Sequence, residues 1–70
     1  MKKKEIISYI MIALRHMINH LDPAQAWEIL ESHGQLTYAS LSLQERSLSY
    51  RNKETLTAIM IAMTEAIYNQ

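Results

Sequence analysis

The sequence predicts an all-α fold, a small three- to four-helix domain with long helices at its N- and C-terminal ends. Three observations carry that prediction. The large aliphatic residues are nine Ile, eight Leu and five Met, with no Val and no Phe. Leu and Met favour helices, whereas Val and Phe favour strands. One Gly and one Pro supply too few tight turns for a chain of many short strands. The apolar positions near both ends recur at alternating spacings of four and three, the rhythm of an amphipathic helix. At 70 residues and 8.2 kDa the chain is read as one domain, residues 1–70, without repeat or linker.

The first helix is expected over about residues 3–21. Ile7, Met11, Leu14, Ile18 and Leu21 form one stripe, and Ile6, Ile10, Ala13 and Met17 form a second beside it. Tyr9 and Ile12 widen the apolar surface further and leave Ser8, Arg15 and Asn19 as the main polar strip. A helix so apolar around its girth belongs in a core or an interface.

Asp22-Pro23 marks the next start. Asp22 can accept from a free backbone N–H, and Pro23 suits the first helical position, where no N–H is needed. Gln25 stands three residues after the cap, the reciprocal position of a capping box. The second helix is expected over residues 23–32, with Ala26, Trp27 and Leu30 facing inward and Ile29 beside them. Gly34 provides the left-handed residue that ends it.

Residues 35–42 read as a loop or single turn. Leu36 and Tyr38 alternate with polar residues, as do Leu41 and Leu43, but the phase slips at Ala39-Ser40, so no strand keeps both pairs on one face. Ser42-Leu43-Gln44-Glu45 matches a capping box, which sets the third helix at about residues 43–51. Asn52 caps or breaks before the fourth, expected over residues 53–68. Its stripe is Leu56, Met60, Met63 and Ile67, thickened by Ile59, Ala62 and Ala66.

The composition narrows the chemistry. Seven basic and seven acidic residues cancel, so no strong field draws the chain to nucleic acid. Without cysteine there is no thiol nucleophile, disulfide framework or Cys-ligated zinc. His16 and His20 stand one helical turn apart, a spacing that suits a metal pair, and His33 is a conceivable third ligand. The glutamate that a zinc-hydrolase helix carries between its histidines is missing: Met17, Ile18 and Asn19 intervene. Both histidines are read instead as the polar edge of the helix near its C-terminus, where the dipole favours positive charge. Glu31, Ser32 and His33 are consecutive on a helix, so their side chains diverge by about 100° per residue and cannot converge as a triad. The expectation is a non-enzymatic protein with no metal site and no cofactor.

Lys2, Lys3 and Lys4 precede the apolar run Ile6–Leu14 in the manner of a signal segment, but Glu5 interrupts the basic start. Arg15-His16 stand where a small-residue cleavage site belongs. The run is also short of the roughly 20 residues that span a bilayer. A cytoplasmic protein that does not enter a membrane is expected.

Two surfaces are singled out for partners. Two short helices offer little to cover the apolar rows of the first, so Ile7, Met11, Leu14 and Ile18 are expected at a self-association or partner interface, most simply a homodimer. Tyr38, Arg46, Tyr50 and Arg51 form the second candidate. If the third helix continues into Lys53, then Arg46, Tyr50 and Lys53 share a face, a basic-aromatic patch for protein or nucleic acid. Glu45 and Glu54 lie close enough to offset much of its charge, which disfavours the nucleic-acid reading. Trp27 is expected to anchor the short second helix in the core, and the methionines of the long helices to act as adaptable core filling. Size and missing chemistry lead to a protein-binding module: a regulator, inhibitor, immunity-type protein or chaperone.

Overall fold

Local chemistry starts each helix where a free backbone N–H finds an acceptor. A computed structural model describes all residues, 1–70, and contains four helices and no strand: α1 (Lys3–His20), α2 (Pro23–Ser32), α3 (Leu41–Ser49) and α4 (Lys53–Tyr68). At the start of α1 the Glu5 carboxylate reaches back to the Lys2 N–H at 2.9 Å. Asp22 accepts from Ala24 N–H at 3.0 Å, with Pro23 following it in the first turn of α2. Asn52 accepts from Thr55 N–H at 2.8 Å at the start of α4. Each side-chain cap of this kind contributes about 1 kcal/mol. Gln25 does not complete a capping box: its Oε1 accepts instead from Gln70 Nε2, at 3.0 Å.

The end of α2 is a Schellman motif. Gly34 takes φ +76°, and its N–H bonds to Glu31 O while Gln35 N–H bonds to Leu30 O. The last carbonyls of the helix are thereby satisfied. At the end of α1 the chain leaves the helix at Leu21, one residue earlier than expected, because Leu21 adopts a non-helical conformation before Asp22-Pro23.

The third helix departs from expectation in its frame. Ser40, and not Ser42, is the cap: its Oγ accepts from Leu43 N–H at 3.3 Å. The helix therefore runs over Leu41–Ser49 where residues 43–51 were expected. The inward positions become Leu41, Gln44 and Leu48, while Leu43 and Tyr50 turn outward. A polar residue in the middle of the inward row hides the true frame from hydrophobic periodicity. Because α3 stops at Ser49, Lys53 belongs to α4, and the single helical face expected for Arg46, Tyr50 and Lys53 does not form.

Hydrogen bonds between elements define the topology. Lys3 Nζ reaches Ser49 O near the start of α4, Thr64 Oγ1 donates to Tyr9 Oη at 3.4 Å, and Ala13 and Ile67 border one shallow depression. Helices α1 and α4 thus lie side by side and run in the same direction. The Gln25–Gln70 bond joins the first turn of α2 to the end of α4. At the opposite end, Arg51 Nη2 donates to Gly34 O at 2.7 Å, so α2 runs antiparallel to both long helices. Helix α3 packs on another side of α1.

The core is one cluster to which every helix contributes. It takes both rows of α1 (Ile6, Ile10, Met11, Ala13, Leu14 and Met17), Ala26, Trp27 and Leu30 from α2, Leu48 from α3, and Leu56, Ile59, Met63 and Ala66 from α4. Each fully buried aliphatic side chain contributes about 1.5–3 kcal/mol. Met11 and Leu14, expected at an interface, are interior residues of the chain's own core, and Ile7 and Ile18 are half-buried against it. The reason is that α4 packs directly on α1 and α3 closes another side, so both apolar rows are covered within one chain. On α4, Met60 and Ile67 are only partly buried and flank the core row. No helix is long and apolar enough to cross a membrane.

Candidate functional site

Two exposed apolar surfaces remain once the core is closed. The first is the connection between α2 and α3. Its backbone is held from beneath: Gln44 Nε2 donates to Leu36 O, Arg51 binds Gly34 O, and Ser47 Oγ donates to Gln35 Oε1 at 2.7 Å. Gln35 and Gln44 are both buried, although Gln35 Nε2 and Gln44 Oε1 have no hydrogen-bond partner. Such an unpaired buried group costs about 1–3 kcal/mol, so these amides hold the connection at some expense in stability.

Tyr38 sits at the crest of this segment with φ +57°, the only non-glycine residue with positive φ. A non-glycine side chain in that region is disfavoured by about 1–2 kcal/mol. Its ring packs against Trp27, with centroids 5.3 Å apart and planes inclined by 37°, within the separation at which aromatic rings attract. Trp27 is buried as expected and anchors α2, yet Tyr38 remains 77% exposed. Leu36 and Leu43 are exposed on either side of it in sequence. The connection and the first turn of α3 therefore carry three exposed large apolar side chains, Leu36, Tyr38 and Leu43, on a backbone that is already ordered.

Of the other residues in this candidate set, Arg46 is exposed and Tyr50 is 81% exposed as the C-cap of α3. Arg51 is committed to Gly34 O. The structure thus sets Tyr38 against Trp27 and Arg51 against Gly34 O, and leaves Arg46 and Tyr50 exposed on α3 and at its C-cap. Leu36 and Leu43 were the residues sequence reasoning missed. The signal was present in the slipped alternation of residues 36–43, where apolar side chains with no consistent face are apolar side chains left outside.

The second surface lies along the outside of α1 and α4. Tyr9 borders three shallow depressions there, one with Met60 and Ile61, one with Ile12 and Ile67, and one with Lys4 and Ser8. Ile12 is 66% exposed and Ile61 50% exposed. The interface residues expected from sequence lie on other sides of α1, so the exposed strip is carried by Tyr9 and Ile12.

The histidines are divided between two places. His16 and His20 have ring centroids 5.3 Å apart on the outside of α1. At the C-cap of α2, His33 Nδ1 lies 2.9 Å from Ile29 O and 3.2 Å from Ser32 Oγ. No group of three or more His, Cys, Asp or Glu side chains is placed to hold a metal ion.

No protein-family model, curated protein or solved structure matches the chain.

Proposed function

We propose that the chain is a small, non-enzymatic, cytoplasmic protein-binding module, of the regulator, inhibitor, immunity-type or chaperone class, which engages its partner through the α2–α3 connection. One observation carries this reading: Tyr38 stands exposed in a left-handed conformation against Trp27, with Leu36 and Leu43 exposed before and after it in the chain. Tyrosine is enriched at the energetic centres of interfaces, where it supplies a large contact area at low conformational cost. The three clamps on the connection settle its shape before a partner arrives, which removes much of the ordering cost of association.

The test is affinity capture from the source cell with wild-type, Tyr38→Ala and Leu36→Ala chains whose helical circular dichroism is equal. A captured protein is then purified and its binding measured by calorimetry. A direct interaction weakened at least about tenfold by Tyr38→Ala, the loss of one interface anchor, supports the reading. Capture indifferent to both substitutions overturns it, and nucleic acid released steeply by added salt points to the basic side chains instead.

A further inference from the structure

From the C-terminal end of α1 we propose that His16 and His20 form an open binding site for a first-row transition-metal ion of the Cu²⁺ or Zn²⁺ kind. The two residues are four apart on one helix, so their side chains leave the same face one turn apart. Their ring centroids lie 5.3 Å from each other, with planes inclined by 41°. Two imidazoles sharing one ion, each through a metal–nitrogen bond of about 2.0–2.1 Å, set their ring centres about 4.5–5.3 Å apart for angles from square to tetrahedral. The pair therefore stands at chelating distance before an ion arrives. Both rings are exposed, and the only histidine ring that hydrogen-bonds within the chain is that of His33. The ring nitrogens of the pair are free for a ligand.

The surroundings select the class of ion. Between Glu5 and Asp22 the chain carries no carboxylate, and Asp22 is spent on Ala24 N–H. No third His, Asp or Glu is placed to join the pair. Mg²⁺ and Ca²⁺ require oxygen ligands, whereas imidazole suits copper, nickel and zinc. Two protein ligands leave the other coordination positions to water, as in an open site and not a closed structural one. The helix adds two favourable conditions. Met17, between the histidines, is fully buried and Ile18 half-buried, so packing fixes the backbone that spaces the rings. The pair also stands at the negative end of the α1 dipole, which favours a cation, and Pro23 has no N–H to offer the last carbonyls there. Arg15, the nearest basic residue in sequence, leaves the helix about 100° round from His16.

This site is independent of the α2–α3 connection, which lies at the opposite end of the bundle, so either proposal can fail alone. Its test is calorimetric titration of the untagged, metal-free chain with CuCl₂, ZnCl₂ and MgCl₂ in a buffer that does not bind metals. One ion per chain is expected, with Cu²⁺ tighter than Zn²⁺ and no heat from Mg²⁺. His16→Gln and His20→Gln replace exposed side chains, so helical content is retained, while each lowers affinity at least about tenfold through loss of a ligand. His33→Gln leaves the affinity unchanged. Arg15→His combined with His16→Gln keeps the number of histidines but sets the pair about 140° apart round the helix, and is expected to bind as weakly as His16→Gln. Zinc is also expected to raise the melting temperature of the wild type and not of His16→Gln, because the folded helix holds the rings at chelating distance. No binding of Cu²⁺ or Zn²⁺ up to about 1 mM ion overturns the inference, as does binding indifferent to His16→Gln and His20→Gln. Full affinity in the Arg15→His, His16→Gln chain overturns the one-face chelate.

Discussion

The side-chain amide of Gln44, fully buried on α3, donates to the carbonyl of Leu36 across the α2–α3 connection. This bond draws the connection onto α3 while the other end of the same amide, Oε1, is left without a partner. One side chain thus orders the candidate binding segment and weakens the core beneath it.

Gln44→Leu separates those two effects. Losing the bond to Leu36 O costs about 1 kcal/mol, and removing the unpaired Oε1 returns about 1–3 kcal/mol. Urea denaturation is expected to show a stability equal to wild type or up to about 2 kcal/mol higher. Limited proteolysis of the same variant is expected to cut residues 35–40 faster. Greater stability with an uncut connection would show that Gln44 does not order it.

Tyr38 is tested by a pair of substitutions. Alanine and glycine both remove the ring from Trp27, but only glycine takes the left-handed conformation without penalty. Tyr38→Gly is therefore expected to be more stable than Tyr38→Ala by about 1 kcal/mol, a difference of about 4–8 °C in melting temperature for a domain of this size. Equal stabilities would mean that the connection relaxes out of the positive-φ region once the ring is gone.

Gly34 isolates backbone strain from packing. Its φ is +76°, and a Cβ added there would meet no atom within 4 Å. Gly34→Ala should cost about 1 kcal/mol through conformation alone, read as a shift in urea midpoint at unchanged denaturant slope. A changed slope would signal rearrangement of the α2 terminus instead.

Neighbouring positions on α1 should respond in opposite ways. Leu14 is completely buried, whereas Ile12 is 66% exposed. Leu14→Ala is expected to lose about 2–5 kcal/mol, and Leu14→Glu to abolish the cooperative thermal transition seen by circular dichroism. Ile12→Glu should keep that transition. Leu14→Glu that melts like wild type would place Leu14 on the surface and contradict the packing of α4 on α1.

Much of this architecture is legible in the residues themselves. Asp22-Pro23, Gly34 and Asn52 act through local backbone chemistry, so the start and end of α2 and the start of α4 can be read without knowing what lies nearby. The inward face of α2 is equally plain, because Ala26, Trp27 and Leu30 form its apolar face, with Ile29 packed beside them. Two features are not legible in this way. On α3, Ser40 and Ser42 are both chemically able to cap, and the choice falls to Ser40 because Leu41, Gln44 and Leu48 then face α1, with Gln44 paired to a carbonyl distant in sequence.

The outer face of α1 is the second such feature. Apolar residues cover most of that helix, so its pattern has no sharp minimum and several rows compete for the interior. Local propensity therefore determined that residues 3–20 are helical and where the neighbouring helices begin. Which apolar row of α1 is buried was decided only when α4 settled alongside it, because burial is a property of two surfaces in contact, and the partner surface lies some fifty residues away in the chain.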